Sequence, residues 1–373
     1  MKRLLIVGLF AAALLGFGTP TVIAAENHDQ SLDPQYFTAK ITEISAEGER
    51  DLGGITEHYR VLKAELTNKE VRGQTIEIEQ SDLFLSDKII PVEVGDRVVV
   101  IQSAGAEGEV FYALVDLYRV PALAIATGIF FLLAIIFGRL KGFTSILGLA
   151  ASGAIIIYYV VPKLVAGADP LWTSLSASLL IATVSLFLAH GFNKRTAIAF
   201  LGTIITLLIS AFVAVQVVTF THLFGFGSEE SFFVLADLPN LSLQGLLLAG
   251  IMLGLLGVLD DITTAQSAVV DELKQANPNL GFKELYRRGI SVGREHIASL
   301  INTLFLAYAG ASLPLFLLFY VNGTQSLAIT LNNQMIAEEI IRTLVGSACL
   351  ILAVPITTAL AAWVFGRKKD KSF

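Results

Sequence analysis

Seven runs of apolar residues, near 119–138, 143–163, 171–190, 196–221, 241–262, 298–320 and 338–365, constrain this chain more than any other feature. Each comes close to the roughly 20 residues that an α-helix needs to cross about 30 Å of hydrocarbon. A helix satisfies its own backbone, so apolar helices of this length are stable in lipid. Composition agrees: 54% of the residues are hydrophobic and only 16% are charged, against roughly a quarter charged in a soluble domain. The predicted fold class is a polytopic α-helical membrane bundle of about seven transmembrane helices over 119–366.

The chain before the bundle has a different character. Met1-Lys2-Arg3, an apolar stretch from Leu4 to Leu15 and the small residues Ala24-Ala25 have the layout of a secretory signal over 1–25. Cleavage near Ala25 and retention as a membrane anchor both fit. Residues 26–118 have the composition of a soluble domain, here placed outside the cytoplasm. Alternating stretches predict strands at Phe37–Ile44, Tyr59–Leu66, Gln74–Glu79, Arg97–Ile101 and Val110–Tyr118. Turn signals separate them at Gly53-Gly54, Asn68, Gly73, Pro91, Gly95-Asp96 and Gly105. Five strands in this length predict a small β-rich domain, a sandwich or a barrel of the oligonucleotide/oligosaccharide-binding kind. The domain carries 19 acidic and 8 basic residues, so nucleic acid is not an expected partner.

Basic residues set the expected orientation of the bundle. Arg139 and Lys141 follow the first run, and Lys194 and Arg195 the third. Lys274, Lys283, Arg287, Arg288 and Arg294 follow the fifth, and Arg367, Lys368, Lys369 and Lys371 the seventh. The intervening loops are poorer in bases, and 222–240 carries Glu229, Glu230 and Asp237. Every second loop, and the basic tail 367–373, is therefore predicted to be cytoplasmic. The large inner loop, 271–296, holds Phe282, Leu285, Tyr286 and Ile290 at helical spacing beside Lys283, Arg287 and Arg288. This predicts a short amphipathic helix, lying either on the inner leaflet or in solvent as a connector.

The most unusual feature for function is Asp260-Asp261, two adjacent carboxylates inside an uncharged run from Leu238 to Val270. A charge at mid-bilayer costs at least about 2.5–3.5 kcal/mol, so such residues face a bundle interior or a water path. Two neighbouring acids in low dielectric are also hard to ionise together, which suits a proton carrier. Helical spacing places Gly250, Gly254, Gly257 and Asp261 on one face, a glycine stripe that lets another helix approach closely. Asp260 points about 100° away and continues through Thr264, Ser267 and Asp271 toward the cytoplasm. If the fifth helix enters the membrane at Leu241, Asp260 lies about 28 Å along it, near the inner surface; an entry nearer Leu247 buries the pair.

A small-residue stripe in the sixth run, Ser299, Thr303, Ala307 and Ala311, is a candidate partner for the glycine face. Asn302 and Thr303 would then reach a carboxyl group. Thr203, Thr206 and Ser210 share a face of the fourth run and are candidates for the same polar core. Glu338, Glu339 and Arg342 read as a solvated helix start, and His190 as a surface anchor. Five scattered histidines and a single cysteine, Cys349, argue against a metal centre. There is no phosphate-binding Gly-x-x-x-x-Gly-Lys loop and no Gly-x-Ser-x-Gly elbow. Neither an enzyme nor a cofactor is expected.

The segment Gly257-Val-Leu-Asp260-Asp261-Ile-Thr-Thr-Ala-Gln266, with the signal, outer β-rich domain and multi-helix region around it, resembles the YibE/F-like family over nearly the entire chain. That resemblance implies the architecture and brings no activity with it. More distantly, Gly257-Val-Leu-Asp260-Asp261, then Asp271-Glu272, a basic amphipathic loop, Gly293-Arg-Glu-His-Ile and a small-residue helix resemble resistance-nodulation-division permeases and Sec accessory permeases. There, paired acids take up protons, which implies the same role for Asp260 and Asp261. The chain departs from that pattern in having no evident membrane lysine and no duplicated half. The expectation is a proton-linked permease or export-assisting protein in the cell membrane, its substrate unspecified. The alternative is a non-transporting scaffold whose outer domain binds a protein or a polysaccharide. Expected partners are the lipid bilayer and either a second copy or another membrane protein.

Overall fold

A computed structural model describes residues 35–51, 56–81, 90–104, 110–321 and 326–367. The expected signal over 1–25, residues 368–373 of the basic tail and the turn glycines Gly53, Gly54 and Gly105 lie outside the described residues. The chain forms two compact units, with the division at Leu132/Leu133.

The first unit is a closed five-stranded barrel with strand order β1-β2-β3-β5-β4. Its strands are β1 (Gln35–Asp51), β2 (Thr56–Leu66), β3 (Thr75–Ser81), β4 (Arg97–Ala104) and β5 (Val110–Leu117). Period-two alternation sends Ala39 and Ile41, Leu62, Ala64 and Leu66, Ile76 and Ile78, and Val98 and Val100 into one buried cluster. Two register shifts, at Ile41/Glu43 and Ile44/Ala46, bend the long strand β1. It thereby pairs with β2 along its length and with β4 over Gln35–Lys40. A parallel contact at Ile78↔Tyr112 between β3 and β5 closes the barrel, so each strand has two neighbours. Gly95, at φ 104°, makes the turn into β4.

The remaining elements are helical. Helix α1 (Val120–Ile155) runs through a π-helical turn (Ile156–Val160) into α2 (Val161–Val165). The backbone of Arg139 breaks α1 at φ 50°, ψ −133°. Gly142 then packs against the carbonyl of Ala134 so closely that no side chain fits there. Next come α3 (Pro170–His190), α4 (Lys194–Phe220), α5 (Glu229–Asp237) and α6 (Leu243–Ala276). They are followed by α7 (Phe282–Ala311), α8 (Leu313–Val321), α9 (Leu327–Asn332) and α10 (Gln334–Gly366). Polar caps fix the starts: Asp169 accepts from the Trp172 amide at 2.9 Å, Asn193 from Thr196 at 3.0 Å, and Ser242 from Gly245 at 3.0 Å.

Five of these helical stretches are long and apolar enough to cross a membrane, or six if α7 and α8, bent by 60°, form one span. The runs expected at 119–138 and 143–163 both fall inside a single helical stretch, Val120–Val165. The segment expected to be a short separate amphipathic helix forms the first turns of the 30-residue α7. Leu285, Gly289 and Gly293 there are buried, because α7 packs along α10 and α6. Helices α4, α6 and α10 enclose the main core, around Leu207, Ala214, Met252, Leu259, Cys349 and Ala353. The outward faces are apolar too: Ile125, Leu132, Phe212, Phe220, Phe305 and Leu317 all stand exposed.

Candidate functional site

The two neighbouring acids of α6 have opposite environments. Asp260 turns toward α3, where the Ser185 hydroxyl donates to its Oδ2 at 2.7 Å. Its Oδ1 is buried and has no protein partner. Asp261 is exposed. Helical spacing predicts the packed position for Asp261, on the glycine stripe; the fold gives it to Asp260 instead. Gly250, Gly254 and Gly257 are all exposed. No atom comes within 4 Å of where a Cβ would sit on Gly250 or Gly257, and only the Tyr308 hydroxyl, at 3.6 Å, approaches that of Gly254. The physical reason is that α6 buries its leucine-rich face, including Leu248, Leu255, Leu256 and Leu259, and the glycine stripe lies on the opposite side.

Two adjoining cavities meet at the acids. One of about 600 Å³ is lined by Lys141, His190, Asn193, Arg195, Thr196, Asp261, Thr264 and His296, among others. A second of about 230 Å³ is lined by Ser145, Ser152, Ser185, His190, Asp260 and Asp261 with Gly148, Leu149, Leu186 and Ala189. His190 and Asp261 belong to both walls. His190, read from the sequence as a surface anchor, therefore stands between the larger cavity and the one that reaches Asp260. Hydroxyls and carboxylates dominate the polar lining of the smaller cavity, a set of groups that holds water or passes protons.

The stripe below Asp260 is used by the start of α4. Ser267 is buried and donates to the Arg195 carbonyl at 2.9 Å. Asp271 and Glu272 both bind the Arg195 guanidinium, the latter at 2.6 Å. Thr264 donates to the carbonyl of Asp260 in its own helix at 2.7 Å. Asn302 and Thr303 are exposed, and Thr303 bonds the Ser299 carbonyl at 2.9 Å. Among the described residues no hydrogen bond joins either of them to Asp260 or Asp261. The expected stripe of Ser299, Thr303, Ala307 and Ala311 is exposed as well, so it does not pack on the glycine face.

The face of α4 singled out in the sequence joins the core. Thr203, Thr206 and Ser210 are fully buried, and Thr203 shares a 2.9 Å hydrogen bond with Thr263 of α6. Gln266 was absent from the sequence-based set, although it closes the Ile-Thr-Thr-Ala-Gln motif. Its amide donates to the Gly289 carbonyl at 2.8 Å and to Thr358 at 2.7 Å, tying α6 to α7 and α10. Gly289 and Gly293 let α7 come this close, since a Cβ on Gly289 would meet Thr358 at 2.7 Å.

Glu338 also departs from its sequence reading. It is 4% exposed rather than solvated. Gln334 donates to it at 2.9 Å, and the backbone N–H groups of Gly225 and Gly227 point at it. Gly227 lies directly on the carboxylate. The acid and the glycine loop are more than 100 residues apart, and local spacing carries no sign of their meeting. Arg342, one turn on, pairs with Glu339 at 2.7 Å.

No group of three or more metal-ligating side chains occurs among the described residues. Comparison with curated proteins and with solved structures gives no match. The sequence model described as YibE/F-like protein matches residues 126–367, nearly the whole helical part, and the chain belongs to that family.

Proposed function

We propose that this protein is a proton-linked permease or export-assisting protein, with Asp260 and Asp261 as its proton relay. One observation carries the reading: a carboxylate with one buried, unpartnered oxygen sits in a small cavity that adjoins a larger one. Asp260 lies 11 residues, about 16 Å, before the ion-paired Asp271 along α6. That spacing sets it inside the lipid slab if the Arg195–Asp271 pair marks the inner surface. In that position a proton moves between Asp261, open to the larger cavity, and Asp260, held against Ser185. The break at Arg139 supports counting Val120–Val165 as two spans, which gives seven crossings when α7 and α8 count as one. With basic loops inside, the β-barrel lies outside the cytoplasm and the C-terminus within it.

Purified protein in proteoliposomes under an imposed pH gradient should move protons. Asp260→Asn should abolish that movement while the protein still elutes as a folded species. Wild-type flux in the Asp260→Asn/Asp261→Asn double variant ends the proposal.

A second reading, a non-transporting scaffold, is favoured by the exposed glycine stripe of α6 and the exposed small-residue stripe of α7. Both are shaped for close helix contact and both stay exposed among the described residues. Stoichiometric crosslinking to one membrane protein, with no flux in liposomes, would select it.

A further inference from the structure

The larger cavity beside Asp261 has a chemistry that the aspartate relay leaves unused. Five helices supply its wall: Lys141 from α1, His190 from α3, Arg195 and Thr196 from α4, Asp261 from α6 and His296 from α7. Apart from Asp261, every ionisable side chain there is Lys, Arg or His. Its volume of about 600 Å³ falls in the range of small-molecule sites.

The local fold brings the start of α4 to this space. Gly191, at φ 77°, ends α3 and lets the chain turn into α4 within a short loop. Asn193 pins that loop at both ends. Its Nδ2 donates to the His190 carbonyl at 2.9 Å, and its Oδ1 accepts from the Thr196 amide at 3.0 Å. A helix N-terminus carries partial positive charge and spare N–H groups, which suits an anion. A second, independent observation marks the same place. Thr196 is 2% exposed, its hydroxyl is buried with no protein partner, and it stands in the cavity wall. A buried hydroxyl in that state is completed by water or by a ligand. Charge is uncommitted there too. The Arg195 guanidinium is taken by Asp271 and Glu272. Among the described residues, however, neither Lys141 nor Asp261 makes an ion pair.

We propose that this cavity binds an oxyanion (a phosphate, sulfate or carboxylate group) between the start of α4, the Thr196 hydroxyl, Lys141 and the two histidines. Two sources share that chemistry, a free anion and a lipid headgroup of the inner leaflet. The proposal rests on the aspartate relay and names what the relay is coupled to. A charged Asp261 opposes an anion in the same cavity, and its protonation removes the opposition. By linkage, a bound anion favours the proton on Asp261 by the same factor. The groups facing Asp261 are Lys141, His190, Arg195 and His296, with Asp260 in the adjoining cavity. Protonation of either histidine acts in the same direction as protonation of Asp261, toward the anion.

The test is equilibrium binding of radiolabelled sulfate to the full-length protein near neutral pH, in a maltoside detergent that carries no phosphate. Wild type should bind saturably. Thr196→Val should weaken binding about tenfold, the loss of one hydrogen bond to a charged group, with Thr196→Ser near wild type. Lys141→Gln should weaken it comparably, and Lys283→Gln, at an exposed base outside the cavity, should not. Asp261→Asn should tighten it by roughly fivefold or more. Short-chain phosphatidylglycerol added as competitor separates the sources: it displaces sulfate from a headgroup site and leaves it bound at a site for free anions. No saturable binding, or equal losses for Lys141→Gln and Lys283→Gln, overturns the site. Binding that is unchanged in Asp261→Asn overturns its link to the proton. Saturable sulfate binding by a protein that moves no protons sinks the relay and leaves the site; proton flux without sulfate binding does the reverse. Should Thr196→Val fail to fold, Lys141→Gln, at an exposed position, still decides.

Discussion

The barrel and the helical bundle both have apolar cores and differ in what they show outside and in how many polar side chains they bury. The barrel core is built of Ala, Ile, Leu and Val; charges such as Lys63 with Glu43 at 3.0 Å lie outside, and the buried Glu57 is paired with Arg50. The bundle exposes Phe, Leu and Ile on its outside and keeps Thr203, Thr206, Ser210, Thr263, Gln266, Ser267, Thr357 and Thr358 within. Water rewards the first arrangement through apolar burial. Lipid removes that driving force between helices, leaving close packing and interhelical hydrogen bonds to hold them together. The same chain thus follows two solvent rules, and side chains of the same chemistry carry different energetic weight in each unit.

The difference can be challenged by substitution, beginning with the barrel core. Ile78→Ala should destabilise the barrel by about 2–5 kcal/mol, the usual cost of removing a large aliphatic group from a packed core. Limited proteolysis within 35–117 in the full-length protein would report it; unchanged protease resistance would mean that the barrel is not packed around Ile78. In the bundle the matching change adds volume. Gly289→Ala pushes a methyl into Thr358 and should cost about 1–3 kcal/mol, read as a lower midpoint for thermal unfolding in detergent. A stability equal to wild type would show that α7 does not sit against α10 at this glycine.

A smaller effect separates the two solvents directly. Thr203→Val loses the bond to Thr263 and should cost about 1 kcal/mol, whereas Leu132→Ala on the exposed surface should change the unfolding midpoint little. A reversed order would contradict the inside-out distribution of polarity. The smallest effect belongs to the barrel surface. The Arg119 guanidinium holds the Asp116 carboxyl below its ordinary value of 3.8. Its pairing therefore contributes stability above that ordinary value and loses it as pH falls through the lowered one. In an NMR titration Arg119→Gln should return Asp116 toward the ordinary range; no movement would leave the pair without effect.

Much of the barrel was legible because alternation is local. The five expected strands correspond to β1–β5, with β1 extended to Asp51 beyond the expected end at Ile44. That extension follows from the two bulges, which shift alternation mid-strand and hide it from a strict period of two. In the bundle, the apolar runs announced the helices, and the threefold and fourfold spacing of Thr203, Thr206 and Ser210 announced a shared face. The candidate site was legible as to which residues and not as to their roles. Adjacent acids on a helix point about 100° apart, so the two meet different neighbours. Which is which depends on whether α3 or another helix takes the neighbouring groove.

Composition and periodicity alone determined that this chain has an alternating β-rich domain followed by apolar helices, with an acid pair near one end of the longest uncharged run. Those properties depend on residues within a few turns of one another, and the sequence displays them directly. Only the tertiary structure decided that Ser185 takes Asp260, that the glycine stripe stays open, and that Glu338 is held by Gly225 and Gly227. The two pairings join residues at least 75 positions apart. Nothing in local spacing encodes such a meeting, because it is fixed by how whole helix faces compete for one another.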